Sequence, residues 1–236
     1  VRILTFDMKD PYCMVVLRGI EELLNEQNFF YQLADVRNDL ELLERFLQEA
    51  KGRCIEGIIA ISNSLTIDPA KLAKAFGNKM TFVSIGRTIP ELKISSVMLD
   101  NSHGIRLGIE HLHEIGHREI AFLIGPEQTE DSRVRAEAIE KVCKEKAIEL
   151  KPELIEHLED FPATAESGSE AIHRILQRKV PFTAVFAYDD ITAYGAILEL
   201  SRSGYQVPKD ISVVGFDDLW PSEMFNPPLT TIRQPM

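Results

Sequence analysis

The strongest match to a catalytic pattern is the stretch His113-Glu114-Ile115-Gly116-His117, which fits the zinc-protease motif H-E-x-x-H. That chemistry requires both histidines on one continuous helix, with the glutamate as the general base. Gly116 opposes this interpretation, because a glycine after an apolar helical pattern is typical of a helix C-terminus and turns the next residue off the helix face. We therefore interpret the segment as a helix end that carries two surface histidines.

Two acidic pairs, Asp189-Asp190 and Asp217-Asp218, each come directly after a buried strand pattern. They could form a metal site or paired carboxylates for acid–base chemistry, they could cap the helix or loop that follows, or they could accept hydrogen bonds from ligand hydroxyls. Aromatic rings such as Tyr12, Phe161 and Trp220 could cover the apolar face of a sugar, although each ring alone is more often core packing. The hydroxyl-binding interpretation fits a ligand cleft best.

Two arginines, Arg133 and Arg135, fall in the first turn of a predicted helix. A cation at a helix N-terminus opposes the helix macrodipole and is locally unfavourable. An unfavourable residue of this kind next to a strand end points to a functional role. A guanidinium could hold a carboxylate, a phosphate or a pair of hydroxyls through two hydrogen bonds; the alternative is a solvated arginine. The usual phosphate-binding loops and the G-x-S-x-G elbow of hydrolases do not occur in the sequence.

These side chains need a scaffold, and the sequence predicts a regular alternation of strands and helices. The predicted strands are Arg2–Phe6, Phe29–Ala34, Ile55–Ile61, Met80–Ile85, Ser96–Leu99, Glu119–Ile124, Leu154–Leu158, Thr183–Tyr188, Ile211–Phe216 and Leu229–Arg233. The first predicted helix carries Val16, Ile20, Leu23 and Leu24 on one face, the second follows a cap at Asn38 or Asp39, and the third begins at Asp68-Pro69. Four more helices are predicted at Ser102–Ile115, with Ser102 as the cap, and at Asp131–Lys146, Ala165–Gln177 and Ile191–Ser203. This alternation indicates parallel sheets joined by right-handed crossovers.

About ten strands are too many for one compact sheet in a chain of this length. We therefore predict an α/β fold of two doubly wound parallel-sheet lobes, with the boundary near Gly116-His117. Ligands of open parallel sheets bind at the carboxyl ends of the strands, and here those ends are polar, for example at Ser62-Asn63-Ser64. Two lobes that face each other across such loops predict a ligand cleft between them that can close.

The composition excludes several classes of protein. Apolar residues make up 44% and charged residues 27%, as in an ordinary globular chain, and no apolar run approaches the roughly 20 residues that span a bilayer.

Lys and Arg number 26 against 37 Asp and Glu, and the formal charge of −11 would repel DNA unless a separate basic segment bound it. The odd, widely spaced Cys13, Cys54 and Cys143 favour reduced thiols in the cytoplasm. The start at Val1 indicates a fragment, and no signal peptide pattern follows it.

Seven segments occur along the whole chain in a specific order and spacing, although each alone is weakly specific. They are Asp10-Pro11-Tyr12, Glu56-Gly57-Ile58-Ile59, Leu99-Asp100-Asn101, Gly108 to Phe122, Ala187 to Ala196, Val207 to Asp218 and Pro228 to Pro235. Together they resemble the lac repressor/galactose repressor (LacI/GalR) family of transcription regulators.

The resemblance implies an effector-binding domain of the periplasmic-binding-protein type, with lobes at residues 1–116 and 117–231 and a small ligand between them. Residues 232–236 would begin a return crossover, since the family continues beyond the position of Met236. A helix-turn-helix headpiece, absent from this chain, would precede the domain and bind operator DNA, and the protein would be a homodimer. The resemblance implies no cofactor, no metal, no membrane partner and no catalysis.

Carried over by position, the resemblance implies six effector-binding residues. They are Tyr12, Asp131, Arg135, Phe161, Asp189 and Asp217. Arg135 and Asp217 would hold hydroxyls from one lobe, and Tyr12 would contribute an aromatic wall from the other. One departure is Ala138-Ile139, where the family usually has a glycine and an aromatic residue, and a second is Asp131, at a position that varies with the effector among members.

The sequence thus predicts the effector-binding and dimerisation domain of a bacterial transcription regulator, which senses a small molecule, most simply a sugar or sugar derivative. The alternative is a periplasmic sugar-binding protein of the same fold. A helix-turn-helix segment upstream would select the regulator, and a signal peptide upstream would select the binding protein.

Overall fold

The computed structural model describes residues 1–37, 39–52, 57–61, 81–92 and 94–235. These residues divide into two compact units, residues 1–99 with 128–131, and residues 100–127 with 132–235. Each unit contains a five-stranded sheet in which every pair of neighbouring strands is parallel. The predicted α/β fold with two parallel-sheet lobes is confirmed.

The first unit has the strand order β2-β1-β3-β4-β5. Its elements are β1 (Arg2–Thr5), α1 (Pro11–Glu26), β2 (Gln32–Asp35), α2 (Leu40–Gly52), β3 (Gly57–Ile61), β4 (Thr81–Ile85) and β5 (Ser95–Val97). Neighbouring residues of β1 enter different cores, because Ile3 packs with Cys13 and Leu17 of α1 whereas Leu4 packs with Phe46 of α2. The sheet is therefore covered by helices on both faces, as a buried parallel sheet requires.

The second unit has the strand order β10-β9-β8-β6-β7. Its elements are α3 (Asn101–Glu114), β6 (Ile120–Ile124), α4 (Glu130–Glu145), β7 (Ile155–His157), α5 (Ala165–Gln177), β8 (Ala184–Phe186), α6 (Asp190–Arg202), β9 (Ser212–Asp217) and β10 (Thr230–Arg233). Phe122 and Phe186 pack on the α3 and α4 side, and Leu123 and Val185 pack on the α5 and α6 side. This sheet too has two buried faces.

Helix α3 packs against the sheet of the second unit. A Cβ on Gly108 would lie 2.6 Å from the ring of Phe186, and one on Gly104 would lie 2.6 Å from the ring of Phe216. Because these glycines let α3 settle directly on the aromatic rings of β8 and β9, the compact units divide at Leu99, one helix before the boundary expected near residue 116.

Several expected bounds differ from those of the structure. Asp100, not Ser102, caps α3, since its Oδ1 accepts a hydrogen bond from the backbone N–H of His103 at 2.9 Å. Leu23 is 60% exposed, because α1 buries Cys13, Leu17 and Leu24 instead. The pair Phe29-Phe30, expected in a strand, is exposed and precedes β2, whose pairing with β1 begins at Gln32.

The strand predicted at Leu229–Arg233 is confirmed as β10. Its residues Ile232 and Arg233, which the resemblance assigns to the start of a return crossover, pair with Phe216 and Asp217 of β9. Predictions for Cys54, Glu56, Ser62-Asn63-Ser64 and the helix at Asp68-Pro69 fall outside the described residues. Within the described part of the chain, no helix is both long enough and apolar enough to cross a membrane.

Helices α5 and α6 touch backbone to backbone. A Cβ on Gly195 of α6 would lie 1.8 Å from the carbonyl oxygen of Ala165, and one on Gly168 of α5 would lie 2.3 Å from the carbonyl oxygen of Thr192. Because backbone atoms cannot rotate away as side chains do, no larger residue fits at either position without separating the helices.

We expect Gly195→Ala to lower the free energy of unfolding by roughly 1–3 kcal/mol or more, as overpacking does. The matched control is Gly19→Ala in α1, where an added Cβ meets nothing within 4 Å. Since alanine is the better helix former, the control should be neutral or more stable by about 0.4–1 kcal/mol. Urea unfolding followed by circular dichroism measures both. A Gly195→Ala variant as stable as the wild type would contradict the backbone contact.

Candidate functional site

Polar residues of the second unit gather at the carboxyl ends of its parallel strands. Tyr188 and Asp189 follow β8, Asp217 ends β9, and Ser132 lies in the first turn of α4 after β6. The carboxyl ends of parallel strands share one edge of a sheet, and that edge is where ligands of such folds bind. The ring of Tyr188 also packs over Gly125, where a Cβ would lie 2.3 Å from it.

Arg135 of α4 is the centre of this edge. Its Nε donates to Oδ1 of Asn101 at 2.8 Å, its Nη1 donates to the carbonyl oxygen of Tyr188 at 2.7 Å, and its Nη2 lies 4.0 Å from Oδ1 of Asp217. The guanidinium carbon is 3.8 Å from the centroid of the Phe216 ring. Such a cation–π contact is worth about 2 kcal/mol when desolvated, and the side chain of Arg135 is only 7% exposed. Arg135 is therefore a buried cation held by α3, by the end of β8 and by β9.

Arg133 has a different environment from Arg135. Its side chain is 56% exposed, and Nη1 is 2.8 Å from Oε1 of Glu137, one turn along the same helix. Exposed pairs of this kind contribute only about 0.3–0.5 kcal/mol. The solvated-arginine interpretation thus applies to Arg133 and not to Arg135.

The backbone is strained where β9 ends. Asp217 has a φ of 115° and Asp218 a φ of 57°, both in the region that favours glycine. Non-glycine residues in such conformations cost on the order of 1–3 kcal/mol each and persist only where their surroundings hold them. Asp217 is held by Arg135 and by Gln234, whose Nε2 donates to Oδ1 of the carboxylate.

Gln234 is one of the site residues that the sequence does not predict. Its residue exposure is 7%, and its Oε1 is buried with no hydrogen-bond partner among the described residues. A buried acceptor left unpaired costs about 1–3 kcal/mol. The segment Arg233-Gln234-Pro235 contributed to the family resemblance. Because it was assigned to a crossover, Gln234 was not considered as a site residue.

The two members of the pair Asp189-Asp190 have different roles. Asp189 caps α6, and its Oδ1 accepts from the N–H of Thr192 at 2.7 Å and from its hydroxyl at 2.8 Å. Burial raises the pKa of Asp189, while the hydrogen bonds from Thr192 and the charge of Arg135 oppose the rise. The helix-cap interpretation of Asp189 is confirmed, and its contact with a ligand stays a prediction.

Asp190 is a structural carboxylate. It is fully buried, and its Oδ2 accepts from the N–H of Leu219 at 2.8 Å and from the hydroxyl of Ser222 at 2.6 Å. Its Oδ1 accepts from the hydroxyl of Thr231. Burial raises the pKa of Asp190. With its oxygens occupied in this way, Asp190 joins α6 to the loop after β9 and to β10.

The remaining candidates are spread over the two units. Phe161 is half-buried in the loop after β7, at the same edge of the sheet as Arg135. Tyr12, half-buried in the first turn of α1, and Asp131, 7% exposed, belong to the first unit. Trp220, considered as a sugar-stacking ring, is 76% exposed. The cluster of the second unit therefore consists of Arg135, Asp189 and Asp217, to which the structure adds Asn101, Tyr188 and Gln234.

The H-E-x-x-H stretch is a helix end, as interpreted from the sequence. Helix α3 ends at Glu114, and Gly116 has a φ of 102°. The ring of His117 leaves the helix and lies 2.8 Å from the hydroxyl of Thr183 through Nδ1 and 3.1 Å from that of Ser212 through Nε2. Among the described residues, no group of three or more side chains could hold a metal ion.

Comparison with known proteins shows that this chain is similar to transcription repressors. The HTH-type transcriptional repressor CytR of Escherichia coli (strain K12) is 29% identical over 229 residues, which are 97% of this chain and 66% of that protein. The chain thus spans slightly less than two thirds of this relative.

Solved structures agree with the sequence comparison. The complex of the transcriptional regulator CelR with cellobiose has a TM-score of 0.88 at 28% identity, and covers 99% of this chain and 72% of that one. The lac repressor dimer bound to operator and the anti-inducer ONPF has a TM-score of 0.86 at 26% identity, and covers 99% of this chain and 80% of that one.

A family model, the periplasmic binding protein-like domain, matches residues 109–236, which are more than half of the chain. The chain therefore belongs to the periplasmic-binding-protein-like domain family, and its relatives in sequence and structure are transcription repressors and regulators, among them the lac repressor.

Proposed function

We propose that this chain is the effector-binding and dimerisation domain of a transcription regulator that senses a small polyhydroxylated molecule, a sugar or sugar derivative. A helix-turn-helix headpiece ahead of the domain would bind operator DNA, and effector binding would change that affinity. The observation that carries the proposal is the buried Oε1 of Gln234 beside Asp217 and Arg135, which accepts no hydrogen bond from the part of the chain that the structure describes. An acceptor in that position fits a ligand that brings its own donor.

A hydroxyl group fits this cluster because it donates one hydrogen bond and accepts others. It can accept from the Arg135 guanidinium while it donates to Asp217 or to Oε1 of Gln234. The 4.0 Å between Nη2 of Arg135 and Oδ1 of Asp217 exceeds a direct hydrogen bond, which is consistent with an oxygen that bridges the two. The cellobiose complex of CelR supports a carbohydrate as the class of effector.

The charge of the cluster favours a neutral effector over a phosphorylated one. Arg135 is its cation, and Asp189 and Asp217 are its carboxylates, with Asp190 buried directly behind them. An anionic ligand would meet this excess of carboxylates in a partly desolvated site, where charge interactions are strong. We therefore place uncharged sugars ahead of sugar phosphates.

We propose that the whole protein is cytoplasmic and has no catalytic activity. Its relatives are transcription regulators, and both described cysteines, Cys13 and Cys143, are buried free thiols. Burial raises the pKa of each thiol to about 12, so neither is a reactive nucleophile. The periplasmic alternative has less support, because the relatives are HTH-type repressors.

We propose a homodimer whose contact includes an apolar surface of the second unit. Trp220 and Met224 are 76% and 73% exposed in the short helix Trp220–Met224, and Leu198 of α6 is 48% exposed. Leu198 lies one turn after Tyr194, whose ring stacks on Phe225 at 4.3 Å. Large apolar side chains exposed together in this way mark an interaction surface.

The effector site is tested by Gln234→Met, which keeps the length of the side chain and removes both polar atoms. Wild-type chain screened by thermal shift against neutral sugars, sugar phosphates and nucleobases should respond to one neutral carbohydrate class, since a ligand at 100 times its Kd adds about 2.7 kcal/mol. In Gln234→Met the affinity should fall roughly tenfold or more, because buried hydrogen bonds to a ligand are lost.

The matched control is Arg133→Ala, an exposed position in the same helix as Arg135, which should keep the wild-type affinity. Equal affinity of wild type and Gln234→Met would contradict the assigned site. A response to nucleobases or sugar phosphates alone would contradict the neutral-sugar class.

The dimer surface is tested by Leu198→Glu, which buries a charge if the surface is a contact. We expect wild type to sediment as a dimer and Leu198→Glu as a monomer, because an unpaired buried charge costs several kcal/mol. Leu107→Glu in α3 is the control, since Leu107 is 47% exposed and lies outside this surface. Analytical ultracentrifugation at micromolar concentration decides the matter. A monomeric wild type, or a Leu198→Glu variant that is still dimeric, would overturn the assignment.

A further inference from the structure

A cavity of about 180 Å³ lies in the second unit, at the amino ends of β9 and β10. It is at the opposite edge of the sheet from the Arg135 cluster, since Ser212 and Thr230 are the first residues of the two strands. Its volume is close to that of apolar cavities that take up a benzene ring, which are about 150 Å³. The cavity therefore has room for one small ring and does not belong to the proposed effector site.

The walls of the cavity are mainly apolar and rigid. Ile197 of α6 and Leu229, which directly precedes β10, contribute branched side chains, and Pro208, Pro227 and Pro228 contribute three rings to the lining. Proline has a fixed φ and no rotatable side chain, so these walls resist collapse into the space. A preformed apolar cavity with a few polar groups is the usual form of a small-molecule site.

The polar groups of the lining include Ser212, Thr230 and His111. The hydroxyl of Ser212 lies 3.1 Å from Nε2 of His117, whose Nδ1 faces the hydroxyl of Thr183 at 2.8 Å. The Thr183 hydroxyl in turn lies 3.4 Å from the carbonyl oxygen of Glu119 and donates to it. This chain of bonds favours the tautomer in which Nδ1 of His117 donates to Thr183 and Nε2 accepts the Ser212 proton.

The oxygen of Ser212 is then left as an acceptor. Burial, together with the charge of nearby His111, lowers the pKa of His117, which agrees with a neutral ring. A ligand of this cavity is therefore favoured when it combines one apolar ring with one hydrogen-bond donor.

We propose that this cavity is a second ligand site, which binds a small aromatic alcohol of the size of phenol. The proposal is independent of the effector site, because the two sites share no residue. The ring fills the space between Ile197 and Leu229, and the hydroxyl donates to an acceptor of the lining.

Phenol itself is the probe, titrated into the full chain and followed by chemical shifts of amide resonances around residues 197, 212 and 229. We expect saturable binding with a millimolar Kd, which Ile197→Phe weakens at least tenfold by filling the cavity. Ile115→Trp is a second blocking variant on the 56% exposed rim, where the fold tolerates a larger side chain. It should weaken binding as well. Gln234→Met, which alters only the effector cluster, should bind phenol as the wild type does.

Absence of saturable shifts at these residues in the wild-type chain would overturn the site. Unchanged binding by both Ile197→Phe and Ile115→Trp, with the variants folded by circular dichroism, would also overturn it. Toluene has the same ring without the donor, and binding of toluene as tight as that of phenol would overturn the assigned hydroxyl contact.

Discussion

A buried guanidinium loses its hydration shell and must recover the lost free energy from fixed acceptors and ring faces. In the second unit the Arg135 side chain has this requirement, and three separate elements meet it: Asn101 at the start of α3, the carbonyl of Tyr188 after β8, and Phe216 with Asp217 at the end of β9. The position of each of these elements is tied to one cation. Removal of that cation would take a hydrogen-bond donor from Asn101 and from the carbonyl of Tyr188, and a counter-charge from Asp217. The edge of the sheet therefore depends on Arg135 for its shape as well as for its chemistry.

The acidic residues around Arg135 show how one residue type can serve structure and recognition side by side. Asp190 faces inward, and its two carboxylate oxygens accept hydrogen bonds from Leu219, Ser222 and Thr231. Asp217 is held in a left-handed conformation at the strand end. The carboxylate of Asp190 secures the loop after β9, whereas Asp217 combines a strained backbone with contacts to Arg135 and Gln234.

The alternation of strands and helices is predictable because strong local signals mark the ends of many of its elements. Helix α5 begins and ends where the pattern predicted, at Ala165 and Gln177, since Thr164 and Ser167 form a reciprocal capping box. The run Phe29-Phe30 was wrongly assigned to a strand, because an apolar run looks the same whether it is buried or exposed. Local patterns report the preference of the backbone, and they do not report which neighbours cover a side chain.

The site residues were predictable only in part, for the same reason. Arg133 and Arg135 are equivalent by local sequence, and only the face of α4 that packs on the sheet separates the solvated side chain from the buried one. Gln234 carries no local signal at all, because its role depends on its contact with Asp217, 17 positions earlier in the chain. The family resemblance implies Arg135 and Asp217, whereas the burial of the Gln234 oxygen, away from any donor of the described residues, is visible only in three dimensions.

The glycine contact between α5 and α6 has a mechanical consequence. Where two helices are separated by a layer of side chains, they can slide by exchanging rotamers, and small motions are absorbed. At Gly168 and Gly195 no such layer exists, and the carbonyl oxygens of one helix abut the backbone of the other. We therefore expect α5 and α6 to move as one rigid pair, so that a displacement at the Asp189 end of α6 also shifts α5.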